Sequence, residues 1–399
     1  MEKTRQTTGW IITSAALGIN LLLGLLYAWS VFKKALVADW GWSNTVSSLP
    51  YTFSAALFAF MMVFAGRAQD KFGPRIVALI GGLMFGGGLI LSGFATNPVA
   101  MVFTFGVMGG IGIGLGYSAT TPCAIKWFES SKKGLISGIV VSGVGLAPVI
   151  IAPLTAYFLR LYGIQKTFII LGTIAVVVIS VFSLILRNPP AGYIPVQTGS
   201  KSSGSSASKE TSWKEMLRTS QFYILWITYL LSATAGLMLI GHMASIASTQ
   251  ASWKAGYILV VLLSVFNASG RIAGGILSDK VGRTAAFLIV FIIQAVNMFL
   301  FPFYTTIPLL IIGASVAGLA YGSLFALFPS ITADYFGVKN LGVNYGLVFT
   351  GWGIAGIVGP VLGGLVVDKT GSYNGSYLVA GVLLIVATFL VRYMKLSSK

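Results

Sequence analysis

Long segments with few charged residues recur along the whole chain, and each is long enough to cross the hydrocarbon core of a membrane as a helix. Only 9% of the residues are charged, against about a quarter in soluble globular proteins. Since the first segment is too long for a signal-peptide core and no small-residue cleavage site follows it, we expect it to be retained. Twelve segments are predicted, at approximately 9–32, 44–66, 74–95, 98–125, 134–159, 165–186, 220–245, 255–278, 284–304, 307–333, 341–367 and 375–391.

The basic residues predict the orientation of these segments. Twelve spans place both termini on one side, and most of the 26 Lys and Arg residues fall in the termini and in the even-numbered loops. The opposite loops carry only six, namely Lys33, Lys34, Arg160, Lys166, Lys254 and Lys369. By the positive-inside rule we expect an integral protein of the cytoplasmic (inner) membrane with both termini in the cytoplasm. The net charge of +17 is thus spread over short loops, which argues against nucleic-acid binding.

The longest polar stretch, residues 187–219, contains a Ser-rich run typical of a flexible linker. It divides the chain into a first bundle of six spans at 1–190, a cytoplasmic linker at 191–219 and a second bundle of six spans at 220–399. The halves repeat each other: G-R-A-Q-D-K-F-G at 66–73 returns as G-I-L-S-D-K-V-G at 275–282. Such repeats are typical of two pseudosymmetric bundles that rock about a site at the middle of the membrane.

These loop motifs, with the glycine ladders at 138–145 and 346–353, resemble the major facilitator superfamily over the whole chain. The resemblance implies an all-α membrane protein with twelve transmembrane helices in two pseudosymmetric six-helix bundles, the major facilitator fold. The motif glycines permit tight turns, and the motif aspartates can accept charge-assisted hydrogen bonds from nearby arginines. We therefore expect a gating role, with plain solvation of the loops as the alternative, for Asp70, Asp279, Arg67 and Arg283.

Arg271 is the one basic residue in the interior of a predicted span, away from its ends, and all nine acidic residues fall in loops or at helix ends. A guanidinium at that depth costs about 2.5–3.5 kcal/mol on insertion scales, so it is normally paired or faces a wet cavity. One interpretation is that it snorkels to the headgroups or meets Asp279. The other is that it binds an anionic ligand, because Asn267 lies one turn earlier on the same face and guanidinium matches a carboxylate in forked geometry. The single cation favours a monocarboxylate over a dicarboxylate.

Four stretches resemble a narrower group, the oxalate/formate antiporter family and the related monocarboxylate (lactate) transporters. They are W-x-x-M-L-R-T-x-Q-F-Y-x-L-W at 213–226, N-x-x-x-R at 267–271, A-L-F-P-S at 326–330 and D-x-F-G at 334–337. The resemblance implies that the cavity is lined by Tyr27, Tyr117, Arg271, Tyr321 and Phe325. Read from the residues alone, these aromatic side chains fit helix packing or an interfacial belt as well as substrate contact.

Two departures from the narrower group bear on the substrate and on proton coupling. Trp352 aligns with a lysine of oxalate carriers, so we expect one carboxylate to be preferred over two. Asn267 replaces an aspartate of the animal monocarboxylate transporters and cannot titrate. The remaining candidate for a proton relay is His242, for which packing in its helix is the alternative, and protonation carried by the substrate itself stays open.

The resulting prediction is a secondary transporter of small monocarboxylates such as lactate or pyruvate, working by proton symport. Arg271 and Asn267 bind the carboxylate, Tyr117 and Tyr321 bond its polar atoms, and Leu26, Phe325 and Trp352 shape the apolar side. The alternatives are an organic anion exchanger of the oxalate/formate type, a carboxylate-binding membrane sensor without transport, and a carrier of uncharged solutes. The expected partners are the substrate, H+ and the lipid bilayer, and a monomer is sufficient.

Other sequence signals point away from an enzyme. The glycine run at 109–116 lies inside an apolar segment and predicts close helix packing, not a nucleotide-binding loop. No Walker A sequence occurs, and the single cysteine, Cys123, excludes an intramolecular disulfide. Nothing in the sequence suggests a cofactor, a metal or a catalytic group.

Overall fold

The computed structural model describes residues 2–128, 133–190, 211–337 and 340–392, and within these ranges it contains helices and no β-strand. The first half comprises α1 (Glu2–Leu23), α2 (Trp29–Trp40), α3 (Asn44–Phe72), α4 (Pro74–Ser92), α5 (Pro98–Met101), α6 (Gly110–Ile125) and α7 (Lys133–Ile185). The second half comprises α8 (Trp213–Met216), α9 (Ser220–Ala251), α10 (Tyr257–Val281), α11 (Arg283–Leu300), α12 (Ile307–Phe336), α13 (Leu341–Thr370) and α14 (Asn374–Arg392). The predicted all-helical fold class is confirmed.

Eleven helical stretches in the described ranges are long and apolar enough to cross a membrane. The longest, α7, has 53 residues and is two helices joined at Gly163, whose φ of 73° and ψ of −178° turn the chain back. Since a positive φ is readily adopted only by glycine, this residue separates the predicted fifth and sixth spans. The described ranges therefore contain twelve apolar helical segments, as predicted. The end of the bundles at which α1 begins and α14 ends is here called the terminal end, and the opposite end is called the far end.

The first crossing extends further than the sequence suggested. A 3-10 stretch, Gly24–Ala28, continues α1 into α2, which ends only at Trp40 before a left-handed Gly41. The predicted boundary at residue 32 was wrong because the two lysines after it were taken as loop residues. Lys33 and Lys34 lie within α2, and the side chain of Lys33 is fully buried.

The sequence repeat has a counterpart in the backbone. Gly73 and Gly282, the last residues of the two loop motifs, have φ of 81° and 87°, and each immediately precedes a helix, α4 and α11 respectively. Both conformations are strained for residues with a Cβ, which explains the glycine at both positions.

Small residues allow the helices to approach closely, as the glycine run at 109–116 predicted. A Cβ added at Gly112 would lie 2.5 Å from the backbone nitrogen of Phe85, and one at Gly110 would lie 2.6 Å from the carbonyl oxygen of Ser54. These residues bring α6 against α4 and α3, so the packing interpretation is confirmed. The two halves meet where α3 packs on α13, α7 on α10 and α2 on α9.

Residues 191–210 of the predicted linker lie outside the described residues. Its last part packs against the second bundle: Thr211 donates its backbone N–H to the carbonyl oxygen of Phe336 at 3.0 Å, and its own carbonyl accepts from Asn344 Nδ2 at 3.0 Å. Ser212 and Glu215 form a capping box at the start of α8.

Candidate functional site between the two bundles

Arg271 extends from α10 across the interface to α7 of the other bundle. Its Nη1 donates to the carbonyl oxygen of Val141 at 3.0 Å, and its guanidinium lies 4.4 Å from the ring centroid of Phe325. The buried Nε atom has no hydrogen-bond partner. Gly145 leaves room for the guanidinium, because a Cβ there would lie 3.4 Å from Nη2. The side chain thus points into the space between the bundles and does not reach Asp279, which accepts from Arg283 instead.

Asn267 lies one turn before Arg271 and is 1% exposed. Its Oδ1 has no hydrogen-bond partner, although a buried amide oxygen is normally satisfied. The backbone here is held tightly, because Gly318 and Gly322 of α12 pack directly against the main chain of Asn267. The helix pair therefore presents an amide and a guanidinium from one rigid support.

Three aromatic side chains form a hydrogen-bonded chain that joins the two bundles. Trp352 Nε1 donates to the Tyr321 hydroxyl at 2.8 Å, and the Tyr321 hydroxyl lies 3.4 Å from the Tyr27 hydroxyl. Tyr27 comes from the 3-10 stretch of the first bundle, whereas the other two residues come from α12 and α13. The 3-10 stretch, which changes the direction of side chains along the first crossing, places both Leu26 and Tyr27 in the buried core.

Phe58 on α3, which the sequence analysis did not select, lies at the centre of the remaining aromatic contacts. Its ring centroid is 5.4 Å from that of Tyr117, 5.5 Å from that of Trp352 and 5.8 Å from that of Phe349, all edge to face. Trp352 also stacks on Phe349 at 4.9 Å. Since phenylalanines are frequent in every span, no local pattern distinguishes this one.

The resulting site contains one guanidinium, an apolar wall and four phenols, those of Tyr27, Tyr117, Tyr321 and Tyr345. Arg271 is within electrostatic range of the hydroxyls of Tyr27 and Tyr117 and of a further phenol, Tyr345, which the sequence analysis did not select. Among the described residues, none of the ion pairs involves Arg271. The described ranges also contain no group of three His, Cys, Asp or Glu side chains that could hold a metal. This combination fits a small ligand that carries negative charge at one end.

A second polar cluster, at the far end, contains the predicted relay residue His242. The His242 ring contacts Lys33 Nζ, donates from Nε2 to the carbonyl oxygen of Pro360 at 2.8 Å and has its Nδ1 at 3.1 Å from the Tyr373 hydroxyl. Ser48 Oγ lies 3.3 Å from Nε2. The sequence placed Lys33 in a loop and so missed this partner, since the two residues are joined only by the tertiary fold.

The structure describes the side chains of three of the four proposed gating residues, Arg67, Asp279 and Arg283. Arg283 donates from Nη1 to Asp279 Oδ1 at 2.8 Å and from Nε to Asp334 Oδ2 at 2.9 Å, which ties α10 and α11 to the end of α12. Asp334 belongs to the D-x-F-G stretch and was not predicted as a gating residue. Arg67 is exposed on α3, and the side chain of Asp70 lies outside the described residues.

A family model and curated relatives both match this chain over most of its length. The family model described as Major Facilitator Superfamily matches residues 8–303 and 242–398. The uncharacterized MFS-type transporter YhjX of Escherichia coli is 30% identical over 88% of this chain and 87% of its own length. The oxalate:formate antiporter of Oxalobacter formigenes is 29% identical over 98% of this chain and 94% of its own length.

One less similar relative is named for monocarboxylate transport, and one solved structure has the same fold. Monocarboxylate transporter 12 of Rattus norvegicus is 26% identical over 80% of this chain and 71% of its own length. The crystal structure of the nucleoside transporter NupG superposes with a TM-score of 0.74, covering 98% of this chain and all of the other, at 13% identity. At that identity the likeness shows the fold alone.

Proposed function

Because this chain belongs to the Major Facilitator Superfamily, and is therefore a transporter embedded in a membrane and not an enzyme, we propose that it carries small organic anions, specifically monocarboxylates, by alternating access. The two bundles would rock about the site that contains Arg271. The relatives named for oxalate:formate exchange and for monocarboxylate transport support an organic anion as the substrate.

The observation that carries the proposal is the position of Arg271. The guanidinium lies between the bundles, has an unused Nε donor and has no carboxylate partner among the described ion pairs. A cation in a low-dielectric interface is stabilised by an anion, and a carboxylate can accept two parallel hydrogen bonds from guanidinium. In this scheme Asn267 bonds the same carboxylate, while Tyr117 and Tyr321 bond the other polar atoms of the substrate.

The preference for one carboxylate rests on charge and shape. Trp352, which the resemblance aligns with a lysine of the oxalate carriers, is fully buried, and with Phe325 and Phe349 it forms an apolar wall. A second carboxylate would face this wall without a counterion, which costs several kcal/mol in an apolar environment. Lactate and pyruvate have the required single charge and a small apolar end. In this proposal the apolar end contacts Leu26 and the rings of Phe325 and Trp352.

We propose proton symport as the coupling, with the termini in the cytoplasm and the protein in the inner membrane. Moving a monocarboxylate with one proton transfers no net charge. The charge distribution of the loops supports this orientation, although Lys33 and Lys34 no longer count as loop residues.

Uptake of labelled lactate into proteoliposomes with an imposed inward proton gradient tests the proposal. We expect gradient-driven accumulation in the unmodified protein and its loss in Arg271→Gln. Arg160→Gln is the matched control, because Arg160 is exposed and contacts only the nearby ring of Tyr157 among the described cation contacts. Normal uptake by Arg271→Gln would remove the anchor from the proposal.

Anion exchange is the second candidate, favoured by the similarity to the oxalate:formate antiporter over nearly the whole chain. It uses the same fold and the same arginine. Uptake that requires preloaded organic anion and ignores the proton gradient would establish exchange in place of symport. Ligand binding without any flux would instead point to a sensor.

A further inference from the structure

Lys33 is a fully buried lysine at the far end, on α2 of the first bundle. Its Nζ contacts Nδ1 of His242, which is fully buried on α9 of the second bundle. Burying an ammonium is costly unless it is paired. This contact joins two basic groups, one from each bundle, and the two groups must separate if the far end opens.

The nearest acid does not neutralise this pair. Asp368 is within electrostatic range of Lys33, but none of the ion pairs in the described residues includes that lysine. The Asp368 carboxylate accepts the backbone N–H groups of Asn44 and Thr45, each at 2.8 Å, and the Thr45 hydroxyl at 2.6 Å. Both its oxygens are thus occupied at the start of α3.

Hydrogen bonding determines how many protons the closed pair can hold. The carbonyl oxygen of Pro360 can only accept, so the His242 nitrogen that faces it, Nε2, carries a proton. Nδ1 of a neutral ring then has one lone pair, and Lys33 Nζ is positioned to donate to it. A proton added at Nδ1 would remove the acceptor and set two cations against each other.

The other titratable or charged groups around the pair do not remove this limit. Burial raises the pKa of Tyr373, so its phenol, whose oxygen lies 3.1 Å from Nδ1, remains neutral. Tyr51 on α3 is fully buried, and Lys34 donates to the carbonyl oxygen of Lys254. Three more titratable groups are near the pair. Lys254 lies close to Lys34, Asp368 lies within electrostatic range of Lys33, and Tyr377 on α14 lies close to Tyr373.

We propose that Lys33 and His242 form a proton-binding site shared by the two bundles. While the far end is closed, the charged Lys33 donates to a neutral His242, and when the far end opens, His242 binds a further proton. This further proton comes from water on the far side, binds His242 Nδ1 and breaks the contact with Lys33 Nζ. When the far end closes, this proton returns to that water. Acid on the far side therefore favours the open state. The inference rests on the proposed transport function, since it requires that the far end opens.

The first experiment measures opening without substrate. Spin labels at Thr96→Cys and Thr305→Cys, both exposed in far-end loops of different bundles, report the separation of the bundles in nanodiscs. We expect the population of long distances to rise as the pH falls from about 8 to about 5, the range in which histidine titrates. The His242→Gln variant, which keeps an amide donor for Pro360, should lose this shift. Cys123 is buried and can remain.

Two further variants test the pair itself. Lys33→Met removes the opposing cation, so His242 can be protonated without separation and the acid-induced opening should shrink. Lys34→Gln, the adjacent but only partly buried lysine, should respond to pH like the unmodified protein. A pH shift that is absent from the unmodified protein, or that persists in both His242→Gln and Lys33→Met, would overturn the inference.

Lactate exchange at equal pH on both sides separates this inference from the proposed function. A protein that opens with acid but carries no labelled lactate would contradict the substrate proposal and leave the proton site supported. Exchange that proceeds while the label distances ignore pH would contradict the proton site and leave the carrier supported.

Discussion

At the scale of single residues, the geometry of the guanidinium matters more than its charge. Arg271 uses Nη1 on Val141 and packs on Phe325, which leaves Nε and the second amino group toward the site. Lysine would keep the charge but lose the forked donors. We expect Arg271→Lys to weaken apparent lactate affinity at least tenfold, about 1.4 kcal/mol. Inhibition of labelled uptake by unlabelled lactate measures it, and an unchanged half-inhibitory concentration would exclude forked binding.

Trp352 forms the apolar side of the proposed site, and substituting it tests which substrates that site accepts. Its indole donates to Tyr321 and stacks on Phe349, so the space it fills is apolar except for one hydrogen bond. A lysine there would supply a second cation about where a second carboxylate would lie. We expect Trp352→Lys to make oxalate a better competitor of lactate uptake, with Trp352→Met as the uncharged control. If oxalate competes no better in the lysine variant than in the methionine variant, the alignment of this position is wrong.

At the scale of elements, the crossing of α10 and α12 holds the site in register. Gly322 packs on the main chain of Asn267, and a Cβ there would lie 2.8 Å from its carbonyl carbon. We expect Gly322→Leu to separate the helices at a cost of about 1–3 kcal/mol and to reduce lactate binding by moving Arg271. The buried thiol of Cys123 becomes reactive on unfolding, so a thiol-reactive dye reports the melting temperature. Gly87→Leu, on an α4 position with open space, is the control.

The elements themselves were largely predictable, because a membrane imposes a length and an apolar composition that can be read locally. The break at Gly163 also followed from a short polar interval between two apolar segments. The end of the first crossing did not. Lys33 looked like a loop residue because its partner, His242, is more than 200 residues away in sequence. Similarly, Phe58 and Tyr345 are identified only by what the fold places beside them.

At the scale of the whole molecule, contacts at the far end hold the two bundles together. The Asp368 carboxylate of α13 accepts three hydrogen bonds from Asn44 and Thr45 at the first turn of α3, where a negative charge is also favoured by the helix dipole. The Lys33 and His242 contact lies in the same region. Two other described hydrogen bonds between the bundles, from Arg271 and from Tyr27, lie nearer the middle of the molecule. A rocking motion separates groups near its axis less than groups at the far end, so we expect these two bonds to be disturbed less by opening.

Neutralising the carboxylate should therefore shift the balance between closed and open states. Asp368→Asn keeps the size of the side chain but weakens the charge-assisted bonds, each about 1.5–3 kcal/mol when a charged group is involved and less at this exposed position. We expect a larger population of long distances between labels at Thr96 and Thr305 at neutral pH. Asp39→Asn, an exposed carboxylate on α2, should leave that population unchanged. Equal distance distributions in the two variants would mean that the far end is held closed by the lysine and histidine pair without the help of Asp368.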